Sequence, residues 1–166
     1  MTVLGRQLLP DAPAGTVPFW RQVLRGCSQC GFQANEVTGV LFVAAAALYS
    51  WRMAIFYVVS VVIATATARL PNGDRVLLDL GLFGFNSGLM GLALGNFYQP
   101  NIALWVTVMV LAVVVAAAAV AMARHLPIPF LAAPFIGIFW LMWFVADNIS
   151  DVIKLTSGRG RPQMCT

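Results

Sequence analysis

Cys27 and Cys30 form a C-x-x-C pair, and Cys165 is the third cysteine of the chain. That spacing suits a redox pair or half of a metal site. A zinc site needs a second pair or a histidine cluster, and His125 stands alone, so no metal is expected. Two inert helix residues are the commoner reading of such a pair. The other residues able to do chemistry fall in two apolar stretches. Arg21, Arg25, Ser28, Gln29 and Gln33 interrupt a run that starts at Val17, and Asp79 and Asn86 interrupt a run that ends at Phe97. Polar groups in so apolar a setting must face protein, a cavity or the interface. No nucleophile–base pair and no phosphate loop can be read, so an enzyme is the least expected class and no cofactor is expected.

The elements that would position these groups start with Asp79 to Phe97, DLGLFGFNSGLMGLALGNF. Read as one helix, it carries Gly81, Gly84, Gly88, Gly91 and Gly95 on one stripe. Each glycine costs an isolated helix about 1 kcal/mol relative to alanine. Close approach of another backbone or of a ligand is the usual compensation. Gly84/Gly88 and Gly91/Gly95 are GxxxG pairs, the packing signature of membrane helices. Spacing alone leaves two readings open, a packing helix that touches no solute and a functional element presenting Phe83, Phe85 and Asn86.

The class follows from composition. Of 166 residues, 60% are apolar and only 10% are charged, which implies an integral membrane protein. The apolar runs do not alternate, so helices and not a barrel are expected. The runs are Val17 to about Phe32, Val37 to Ser50, Met53 to Ala68, Asn101 to Ala123 and Phe130 to Val145. Asp79–Phe97, polar at Asn86 and closed by Asn96 and Pro100, fits a re-entrant half-span. The expectation is an all-α membrane protein with five transmembrane helices plus one re-entrant pore helix. Residues 16–150 would form the membrane domain, between polar tails at 1–15 and 151–166. The first 19 residues lack a basic start and an apolar core, so no secretory leader is expected.

The net charge of +4 is spread along the chain with no basic, aromatic-interleaved cluster, so nucleic acid is not an expected partner. Five crossings put Arg6, Arg21, Arg52 and Arg124 on one side, and Arg69, Arg75, Lys154, Arg159 and Arg161 on the other. Such an even split gives no clear orientation under the positive-inside rule. Either the crossings are miscounted or the chain inserts both ways round.

Three motifs point to a family. Leu24-Arg25-Gly26-Cys27-Ser28-Gln29-Cys30-Gly31-Phe32-Gln33-Ala34-Asn35 resembles the LRG-x-x-Q-x-x-F-x-x-N segment of the urea transporters. Gly81-Leu82-Phe83-Gly84-Phe85-Asn86, followed by Leu89 and Gly91, resembles their G-L-Y-G-Y-N pore-helix segment. Leu131-Ala132-Ala133-Pro134-Phe135, after Pro127 and Pro129, is similar to their L-P-x-x-T-x-P-F motif. The resemblance implies the fold of one inverted repeat, half of a urea channel. Two copies would then pair antiparallel around one pore, three such dimers would give the family's trimer, and dual topology would explain the even charge split. The sequence departs from the family at Glu36, where a proline is usual, and at Ala132, where the family has threonine.

The resemblance further implies passive transport of urea through a flat slot. Gln29, Cys30 and Phe32 would line the mouth, with Phe85, Leu89 and Ala132 lining the centre. The glycine stripe would pack the pore helix, and the expected location is the inner membrane of a bacterium. Two other classes stay open: a channel for another small neutral solute such as ammonia, water or short amides, and a non-transporting assembly subunit. Arg25 is expected at the interface or paired with a buried carboxylate such as Asp79. Glu36 and Asp147 are expected at the interface.

Overall fold

The computed structural model describes residues 17–70, 74–125 and 131–148. Among them every regular element is helical. Helix α1 is Phe19–Ser28, and it tightens into a 3-10 turn at Gln29–Gly31. Phe32 then takes a left-handed conformation (φ 53°) that ends the helical path. Asn35 restarts it, its side chain accepting from the amides of Val37 (2.8 Å) and Thr38 (3.4 Å) to cap α2, Glu36–Tyr49. The two axes differ by 69° across this break. The runs from Val17 and from Val37 are therefore the two arms of one bent pair.

Ser50, in extended conformation, joins α2 directly to α3, Trp51–Arg69. Asp74 caps the short α4, Arg75–Asp79, through the amides of Val76 and Leu77. Gly81 (φ 80°) turns the chain into α5, Leu82–Phe97. Asp79 therefore closes a helix instead of opening one, and Gly81 is a joint that an L side chain would strain. Asn101 accepts from the amide of Leu104 (2.6 Å) at the start of α6, Ile102–His125. The last helix, α7, is Ala133–Asn148.

Helices α3 and α6, of 19 and 24 residues, are each long and apolar enough to cross a membrane. The bent α1–α2 pair would make a third span. Helix α5 has 16 residues, which at 1.5 Å each is about 24 Å, short of the roughly 30 Å hydrocarbon core.

Helix α5 is the centre of the bundle, packed on α3, α6, α1 and α7. Lipid tails are as apolar as the helices, so close fit and polar bonds must hold such a bundle together. The fit is visible where α5 meets α3. A Cβ on Gly84 would lie 2.9 Å from Val61, and one on Gly88 would lie 2.7 Å from Tyr57. One on Gly91 would collide with the Phe56 carbonyl. Beside that stripe α5 buries Met90 and Leu94 against Phe56 of α3 and against Leu104 and Val108 of α6. Phe83 packs with Ala68, Leu78, Ala119 and Val120. Ser87 donates to the Ala112 carbonyl (2.9 Å), so its hydroxyl meets the requirement for a partner in an apolar interior.

Candidate functional site

Two groups of polar or aromatic residues converge on the ends of α1 and α5. The first is an ion cluster. Arg21 and Arg25 both donate their Nε to Glu36 Oε1, at 2.7 and 2.9 Å. Arg25 Nη1 also donates to the Asp79 carbonyl (2.9 Å), while the Asp79 carboxylate accepts from Gln22 Nε2 (2.7 Å). Gln22 Oε1 accepts from Arg69 Nε (2.9 Å), and the Arg69 guanidinium lies over the Phe19 ring. Glu36 is thus buried and doubly paired. Its partners lie 15 and 11 residues back, across the bend. Arg25 meets Asp79 through the main chain, and its ion pair is with Glu36. The side chain of Asp147 falls outside the described residues.

The second group holds the residues that the motifs single out. Gln29 is buried, and its Nε2 donates to the Leu80 carbonyl (2.7 Å) just before Gly81. A carbonyl can only accept, so this bond fixes which way the amide points. Gln29 Oε1 takes no hydrogen bond from the described residues. Cys30 is half-buried with its sulfur 3.1 Å from the Tyr57 hydroxyl. Tyr57 gives its own proton to the Cys27 carbonyl (2.5 Å), so Cys30 S–H donates to the tyrosine oxygen. Cys27 and Cys30 are both free thiols.

Phe32 projects from its left-handed turn, 60% exposed, with its ring centroid 6.2 Å from that of Phe85. Phe85 is buried on the flank of α5 beside the glycine stripe. Leu89 follows one turn along and is half-buried. With Tyr49, Met53, Leu92, Ala93 and Asn96 it lines an open depression of about 500 Å³. Ala132 lies half-buried in the turn leading into α7, its carbonyl accepting from the Ile136 amide (2.9 Å).

The structure therefore brings Phe32 to Phe85, sets Gln29 against the joint ahead of α5, and places Leu89 on the open depression. It ties Cys30 to Tyr57. Among the described residues no hydrogen bond links Ala132 to the other motif residues. Tyr57 and the bonding role of Asn86 were not foreseen. The available signals were a tyrosine inside an apolar run and a lone amide on the glycine-rich helix.

Residues 20–163 match the family model described as urea transporter. The chain belongs to the urea transporter family. Over 97 residues it is 32% identical to urea transporter 1 of Rattus norvegicus and, equally, to that of Ovis aries. The matched stretch is 58% of this chain and 25% of each relative, so the chain spans only about a quarter of the curated relatives it matches. The resemblance carried by the three motifs is borne out. As a urea transporter family member rich in apolar helices, the chain is an integral membrane protein.

Proposed function

We propose that the chain is a passive urea channel whose pore forms between two antiparallel copies. The observation that carries this reading is the open side of α5. Helix α5 is enclosed by α1, α3, α6 and α7, yet one side still reaches the surface through Leu89, Leu92, Ala93 and Asn96. Phe85 lies on the border of that side, with the exposed Phe32 ring against it. A second copy facing this side would close a slot lined by Phe32, Phe85, Leu89 and their counterparts.

Urea is flat, with one acceptor and four N–H donors. Each hydrogen bond to water that goes unreplaced costs about 1–3 kcal/mol. Gln29 Oε1 is the side-chain acceptor at the mouth, and Cys30 is an apolar lining atom beside it. A narrow slot of neutral groups cannot replace the hydration of an ion, so ions are excluded. No energy source is needed.

With α1 and α2 counted as separate crossings, five crossings and α5 as a re-entrant half-helix would match one family repeat, and insertion both ways round would place the two halves. Three such dimers would complete the assembly, in the inner membrane of a bacterium. Ala132 offers no hydroxyl where the family has threonine, which favours as second reading a channel for another small neutral amide.

The test is urea flux into proteoliposomes holding only the purified chain, with Phe85→Trp as the blocking variant. Weakly saturating flux that drops at least tenfold in the variant is expected. A well-folded oligomer with no flux above empty liposomes would overturn the reading.

A further inference from the structure

Asn86 is fully buried on α5, immediately after Phe85, and its amide spends both ends on a distant segment. Nδ2 donates to the Leu131 carbonyl (2.9 Å), and Oδ1 accepts from the Phe135 amide (3.2 Å). Ala132 lies between these two contacts. The Phe135 amide belongs to the first turn of α7, where main-chain donors have no partner within the helix. A side-chain oxygen at the N-cap normally fills that role, and Ala132, at that position, has none. Asn86 supplies it from another helix. Leu131 holds a left-handed conformation (φ 40°), which is strained for a leucine and needs to be held from outside.

We propose that Asn86 is the positioning residue of the solute path, setting the turn around Ala132 at a fixed height against Phe85. It acts through that turn and does not contact the solute. The proposal rests on the channel reading above for its effect on flux, but the clamp itself can be observed without any transport.

The chemistry supplies a sharp variant. In Asn86→Asp, the neutral acid keeps a donor and an acceptor, whereas the ionised form has acceptors only and opposes the Leu131 carbonyl. Burial disfavours the ionised form, so its loss of function should emerge as pH rises. Titratable or charged groups on the elements packed against α5 include Arg21, Arg25 and Cys27 on α1, Cys30 on the 3-10 turn, Arg52, Tyr57 and Arg69 on α3, and Arg75 and Asp79 on α4. Arg124 and His125 close α6, and Asp147 lies in the last turn of α7. The wild-type profile controls for all of these.

The experiment measures urea flux in proteoliposomes from pH 5 to pH 9 (about 4 units, spanning the range over which a buried carboxyl can titrate). It compares wild type, Asn86→Asp and Asn86→Leu, with amide hydrogen exchange of residues 131–138 followed in parallel. Expected are a flat wild type, an aspartate variant near wild type in acid that falls at least tenfold in base, and a leucine variant low throughout. Exchange across 131–138 should rise in the leucine variant at every pH. Unchanged exchange there, or an aspartate profile as flat as wild type in a conducting protein, overturns the proposal. No flux from the wild type overturns the channel reading and the conduction role, while raised exchange in Asn86→Leu would still uphold the clamp.

Discussion

The two sides of α5 are built by opposite rules. Along Gly84, Gly88 and Gly91 the helix has given up side chains so that α3 can come within van der Waals reach of its backbone. Along Leu89 and Ala93 it keeps side chains that are only partly covered. One side is a joint whose precision comes from the absence of atoms. The other is a wall awaiting an occupant or a second wall. A rigid joint behind a wall is what accurate placement of a solute-facing surface requires, since displacements of the helix are resisted from the back.

Substitutions should separate the sides cleanly. The largest loss is expected for Gly81→Ala, where a methyl would enter the Arg25–Gly26 backbone and the positive φ would be strained. A cost of about 3 kcal/mol or more follows, read as loss of folded yield and a collapsed melting transition in detergent. Next comes Gly91→Ala, whose methyl meets the Phe56 carbonyl and Ser60; about 2 kcal/mol is expected. Leu89→Ala should reverse the pattern. Its thermal transition moves by less than about 1 kcal/mol because the side chain is only half-buried, yet its urea to N-methylurea flux ratio falls as the wall recedes. A Leu89 variant that melts early with unaltered selectivity would erase the distinction between the sides. The smallest effect, of opposite sign, belongs to Gly137→Ala on α7. A Cβ there meets nothing within 4 Å, so helix propensity alone acts and stability rises by up to about 1 kcal/mol.

Much of this contrast was legible in the sequence, because a 3,4 spacing of glycines survives as a stripe on any helix that contains it. The boundaries were less so. Asp79 and Gly81 belong to the same apolar run as Phe85, and only backbone geometry reveals that the run breaks at Gly81. Glu36 follows a polar break, and nothing near it in sequence shows that it is doubly paired. Its two arginine partners come from the preceding helix, and no local pattern announces a contact made across a 69° bend. Phe32 and Phe85 were named through family motifs, and their ring contact spans more than fifty residues of sequence, beyond the reach of periodicity. Asn86 stood out as an amide in a glycine-rich helix, but the turn it clamps lies 45 residues downstream.

The unequal lengths of α3 and α6 have a mechanical consequence. At 1.5 Å per residue, 19 and 24 residues give helices of about 28 and 36 Å. Both pack on the same central helix, so one bilayer must accommodate the two. Helix α3 nearly matches an average hydrocarbon thickness, whereas α6 fits only by leaning or by carrying Arg124 and His125 into the headgroup layer. Acyl-chain length then becomes a lever on the bundle. Thicker lipids would draw α6 upright and stretch α3 beyond its apolar length, while thinner ones would tilt α6 further across α5. Melting temperature measured across a series of lipid chain lengths should therefore pass through a maximum, set by the shorter helix.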